Sequence, residues 1–201
     1  MHKGGIYTQE EILWEKGYSF IAGIDEAGRG PLAGPVVAGA VILKPFTYVD
    51  NLKDSKKLTP EKRKKFFSLI ISNCVDWSVG IVGAREIEKV NILNATRLAM
   101  HEAVKNLKIR PEFLLIDAVK FTSEIPSQSI IKGDELSASI ACASIIAKVM
   151  RDRLMNNLSN ILPEYGFEKH KGYPTRLHRD RITKHGLTPV HRKTFIFKKS
   201  N

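Results

Sequence analysis

Apolar positions fall in two rhythms along this chain, short β-branched runs and longer stretches of helical spacing, and the two alternate. Phe20–Asp25 and Val36–Leu43 are rich in Val and Ile and bounded by Gly and Pro, which predicts strands. "LTPEKRKKFFSLIISNC" predicts a helix: Thr59 can cap it, Pro60 suits its first position, and Phe66, Leu69 and Ile70 recur at helical spacing. Val75–Val82 alternates like a strand, Asn91–Leu107 has helical spacing, and Phe113–Ile116 is a short buried strand ended by Asp117. "GDELSASIACASIIAKVMRDRL" predicts one long helix starting near Asp134, whose Ala, Ser and Cys residues suit close packing on a sheet. After Leu162 the pattern weakens into a loop, "PEYGFEKHKGYPTRLH", followed by a basic helix to about His185. This order predicts an α/β layered domain with a mixed sheet over residues 1–158. A basic C-terminal helical region, 159–201, is expected to pack on it.

Composition adds little until charge is located. At 201 residues and 43% hydrophobic content, the chain suits one soluble domain of ordinary size. Its longest apolar stretch, Val36–Leu43, is far too short to span a bilayer, and its first residues lack a signal-peptide core. A cytoplasmic location is therefore expected. Cys74 and Cys142 are far apart, which argues against a disulfide framework or a zinc site. The net charge of +11 is concentrated: Lys148–Asn201 holds thirteen Lys and Arg against four Asp and Glu. Four of the six histidines, His170, His178, His185 and His191, lie there too, which suits phosphate contact or a place on the surface. Such an excess suits a polyanionic partner, of which nucleic acid is the commonest, or else a solvated basic surface.

Against that basic background stand four acids. Asp25 and Glu26 open "DEAGRGPLAGP", Asp117 ends another strand, and Asp134 lies at a helix start. Ligand sites in open α/β sheets form outside the carboxyl ends of strands, so acids about ninety residues apart can converge there. Asp134 has the alternative of being an ordinary N-cap. Clustered carboxylates repel unless cations screen them, and Mg²⁺ favours carboxylate, water and phosphate oxygens. Two such ions can activate a water on one side of a phosphodiester and stabilise the leaving oxygen on the other. A competing pattern is the dinucleotide fingerprint, which Gly28, Gly30 and Ala33 formally fit. That fingerprint requires a helix to open at the glycines, whereas Pro31, Gly34 and Pro35 lead into a strand-like run.

"GIDEAGRGPLAGPVVAGAVIL", "DSKKL", "LLIDA", "IIKGDELSASIACASIIAKVMRD" and "HKGYPT", in this order, resemble the bacterial type 2 ribonuclease H (ribonuclease HII) family. The resemblance implies an RNase H-like mixed sheet flanked by helices, with a small C-terminal helical part. It implies cleavage of the RNA strand of RNA–DNA hybrids, and of single ribonucleotides embedded in duplex DNA, with two Mg²⁺ or Mn²⁺ ions. Products with 3′-hydroxyl and 5′-phosphate ends, a monomer, and a place in ribonucleotide excision repair follow from the same likeness. Carried over by position, the metal-binding acids are Asp25, Glu26, Asp117 and Asp134. The substrate-binding positions are Gly28, Arg29 and Gly30, with Lys56 toward the backbone and Tyr173 as the junction-sensing tyrosine. Glycines let backbone groups approach a sugar closely, and the 2′-hydroxyl is what distinguishes RNA from DNA at a given site.

Overall fold

A computed structural model describes residues 5–46, Leu52 and residues 59–196. Helix α1 (Thr8–Glu15) precedes strands β1 (Ile21–Ala27) and β2 (Val36–Leu43). Helix α2 (Pro60–Asn73), strand β3 (Cys74–Val82), helix α3 (Ala84–Asn106) and strands β4 (Phe113–Asp117) and β5 (Ser127–Ile130) follow. A short helix α4 (Gly133–Leu136) leads into the long α5 (Ala138–Ile161). The remainder holds a 3-10 turn (Pro163–Tyr165) and short helices α6 (Phe167–His170), α7 (Arg176–His185) and α8 (Lys193–Ile196).

The five strands lie in the order β3-β2-β1-β4-β5. β1 pairs antiparallel with β2, and β2 with β3, whereas β4 runs parallel to both β1 and β5. The mixed sheet expected from the sequence is thus the sheet observed. Every residue of β2 is buried, as a strand covered on both faces requires. One face of the sheet packs on α5 through Ile21, Val41, Leu43 and Leu115. The other packs on α3 through Ala22, Ile24, Ala38 and Ile116. The small residues of α5 let its backbone nearly touch the sheet: a Cβ added at Gly39 would stand 2.5 Å from the Ala143 carbonyl oxygen.

Several boundaries differ from the sequence expectation, each for a local reason. β1 continues two residues past Asp25, because Asp25, Glu26 and Ala27 still pair with β2. α3 begins at Ala84 and is kinked at Asn91, whose φ is 66°. The Asn91 side chain accepts from the Asn94 amide at 3.1 Å, so the expected start at Asn91 is a true cap inside a longer helix. The single long helix expected from Asp134 is two helices, broken at the extended residue Ser137. Ser137 caps α5 by accepting from the Ile140 amide at 3.3 Å. The N-cap of α4 is Lys132, so capping is not the role of Asp134. α5 runs to Ile161, across the expected division at residue 158.

Candidate active site

The site begins with strand register. β1 and β4 run side by side with Ile24 opposite Ile116, and the next residue on each strand is an acid, Asp25 and Asp117. Residues alternate faces along a strand, so both acids fall on the α5 side with Ile21 and Leu115. Asp25 is buried, and burial together with the charges of Glu26 and Asp117 raises its pKa well above the usual carboxylate range. Hydrogen bonds from Ser144 on α5 and from the Glu26 amide, at 2.7 Å, oppose that rise. Glu26 is raised too, first by burial, while its ion pair with Arg29 at 3.1 Å pulls the other way.

Asp117 accepts from the Gly133 amide at 2.7 Å, which ties the end of β4 to the first turn of α4. Asp134, the next residue, is buried there. The structure therefore gathers Asp25, Glu26 and Asp117 into one coupled set and attaches Asp134 to it through that amide. Among the described residues, no three His, Cys, Asp or Glu side chains are close enough to grip one metal ion without rearrangement. Glu26 is paired with Arg29 and Asp117 with the Gly133 amide in this arrangement. One oxygen of Glu26, Oε2, is buried with no hydrogen-bond partner. A buried, unpartnered carboxylate oxygen beside two further acids suits a hard divalent cation.

Beside the acids lies a cavity of about 390 Å³, whose lining includes Glu26, Gly28, Arg29, Gly30, Lys148 and Tyr173. Tyr173 is 38% exposed, so its ring is not part of the buried core. Lys148 and Arg151 each place a cation 5.6 Å from its ring centroid. Gly28 has φ of +101°, and any Cβ there would collide with the Arg151 side chain. β2, not a helix, follows the glycine loop, which overturns the dinucleotide alternative. Lys56 and the rest of "DSKKL" lie outside the described residues.

A match to the family model for ribonuclease HII spans residues 22–198. The chain belongs to the ribonuclease HII family. A ribonuclease HII of Desulfitobacterium hafniense is 55% identical over 191 residues, covering 94% of this chain and 74% of that one. The Clostridioides difficile ribonuclease HII is 50% identical, with 91% and 72% covered. The crystal structure of ribonuclease H2 from Pyrococcus horikoshii OT3 superposes with a TM-score of 0.74 at 30% identity, covering 87% of this chain and 92% of that one. The chain is accordingly a type 2 ribonuclease H, acting on RNA–DNA hybrids.

Other features of this ribonuclease HII were not legible in its sequence. His170, His178 and His191 are buried, not phosphate-facing or superficial: His170 stacks on His178 with ring centroids 4.4 Å apart. Burial lowers the pKa of all three, that of His178 to about 4. Arg151 and Arg192, from the basic third, are wholly buried beneath the glycine loop. Glu10 of α1 is buried as well, accepting from the Ser137 and Ser139 hydroxyls and the Ser139 amide. No local pattern announces such long-range pairings.

Proposed function

We propose that this enzyme hydrolyses the RNA strand of RNA–DNA hybrids, and single ribonucleotides in duplex DNA, at a site where Asp25, Glu26, Asp117 and Asp134 hold two divalent ions, Mg²⁺ or Mn²⁺. The observation that carries this reading is the charge coupling of Asp25, Glu26 and Asp117 at adjoining strand ends, beside an open cavity floored by the glycine loop. Bound ions would supply Lewis-acid activation of water and stabilisation of the departing 3′-oxygen, leaving 3′-hydroxyl and 5′-phosphate ends. The protein's part is to present ionised carboxylates at fixed positions, and Ser144 and the Glu26 amide support that state at Asp25. Gly28 and Gly30 bring backbone within reach of the sugar, where no Cβ intervenes. Tyr173 offers a ring face to the nucleotide beside the scissile phosphate. Lys148 and the neighbouring cations hold the duplex by its phosphates, without sequence preference. The active species is a monomer.

The test is cleavage of labelled hybrid and of DNA carrying one ribonucleotide, with Mg²⁺ and Mn²⁺ in turn. Chelator is expected to abolish cleavage. Asp25→Asn is expected to abolish it while leaving hybrid binding, read by fluorescence anisotropy, largely intact. Full activity in Asp25→Asn would remove that residue from the site.

A further inference from the structure

Arg192 and Arg151 are the two largest fully buried side chains of the described molecule. Burying a guanidinium is costly unless its donors are satisfied. Arg192 spends all of its nitrogens, and Arg151 all but Nη1, on one target, the backbone carbonyls of the loop after β1. Arg192 Nη2 donates to Gly28 at 2.7 Å and to Gly34 at 2.8 Å, Nη1 to Arg29 at 3.1 Å, and Nε to Gly34 at 3.0 Å. Arg151 donates to Pro35 at 3.0 Å and to Ala33 at 3.2 Å.

Peptide geometry turns this into a statement about the opposite side of the loop. In a trans peptide the carbonyl of one residue and the N–H of the next point in opposite directions, and the described chain has no cis bond. With the Gly28 and Arg29 carbonyls drawn inward onto Arg192, the amides of Arg29 and Gly30 are turned outward. The same three residues line the cavity beside the acids.

Under the proposed function the Arg29 and Gly30 amides face the sugar of the bound ribonucleotide; we propose that Arg192 is the positioning residue that fixes them there, with Arg151 bracing the turn behind them. The proposal rests on the reading of the cavity as the hybrid-cleaving site and deepens it. It gives part of the basic C-terminal region a role other than phosphate contact. A lysine could not replace Arg192, because a single ammonium cannot reproduce the planar fork that engages three carbonyls.

The experiment uses the full chain, ¹⁵N-labelled, in chelator so that no turnover occurs. Duplex DNA with one ribonucleotide is expected to shift the Arg29 and Gly30 amide resonances, and the all-deoxy duplex to leave them in place. In Arg192→Lys that difference should vanish while all-deoxy affinity is kept. With metal restored, kcat of Arg192→Lys at a single ribonucleotide should fall by about tenfold or more with KM little changed. Added guanidinium ion should restore part of the activity of Arg192→Ala. Equal amide responses to both duplexes, or an Arg192→Lys enzyme with wild-type kcat, would overturn the proposal. If the variants do not fold, the wild-type Arg192 Nε–H resonance decides: it should be protected from solvent exchange and shift with the single-ribonucleotide duplex alone, and an Arg192 signal that exchanges freely or ignores that duplex would overturn the proposal. A wild type inactive on every hybrid would instead count against the proposed function, and the amide shifts would still judge this inference.

Discussion

Asp25 shows how one residue sets conflicting demands on fold and chemistry. Its pKa in the folded chain is raised, chiefly by burial and then by Glu26. Between the unfolded and folded pKa values the folded chain therefore holds the extra proton, and stability falls as pH rises through that window. Metal-free Asp25→Asn should accordingly be more stable than wild type at neutral pH, with a higher Tm. The gap should close below the ordinary carboxylate range, where both side chains are uncharged; calorimetry in chelator across pH measures it. A variant less stable than wild type throughout would show that the Asp25 charge is already well compensated. At this scale the acids were legible because they terminate apolar runs and sit within dense motifs. The buried guanidiniums were not, since Arg192 reads in sequence like any other cation of a basic tail and its partners are 158 to 164 residues away.

Elements were read well where the apolar pattern was their own, and poorly where it was borrowed. β2 and α2 declare themselves through continuous burial and through a Thr59–Pro60 start. β5, Ser127–Ile130, has one buried residue in four and exists because it pairs with β4. The break at Ser137 was also hidden, because Glu135, Leu136 and Ala138 beside it suit a helix and the corner is held from a distance by α1. Glu10 supplies a buried carboxylate to Ser137 and Ser139 at 2.5, 2.6 and 2.9 Å, near the positive end of the α5 dipole. Glu10→Ala would leave those groups buried without their acceptor, at a cost of about 1–3 kcal/mol. Chemical denaturation should show that loss, and Glu10→Gln should recover part of it. Unchanged stability in Glu10→Ala would mean that α1 is not what holds the corner.

Over the whole molecule, charge and burial are distributed against the first impression of composition. The C-terminal region is basic, yet its inner side is an aromatic and imidazole cluster in which Tyr165 and Phe167 meet three neutral histidines. His178 has a folded pKa near 4 against an ordinary value of 6.5. In that interval the unfolded chain binds more protons, so acidification from pH 6.5 toward 4 should cost up to roughly 3 kcal/mol of stability through this residue. Tm measured across that range should drop steeply in the wild type and less steeply in His178→Gln; parallel curves would place the acid sensitivity elsewhere.

The bonds from Arg192 to Gly28 and Arg29 span more than 160 positions of sequence. During synthesis the glycine loop leaves the ribosome long before the guanidinium that shapes it. A chain ended before Arg192 carries the acids of β1 and β4 yet lacks the inner support of the loop beside them. Under the proposal above, the means of telling ribose from deoxyribose would be the last part of the site to be completed as the chain is made.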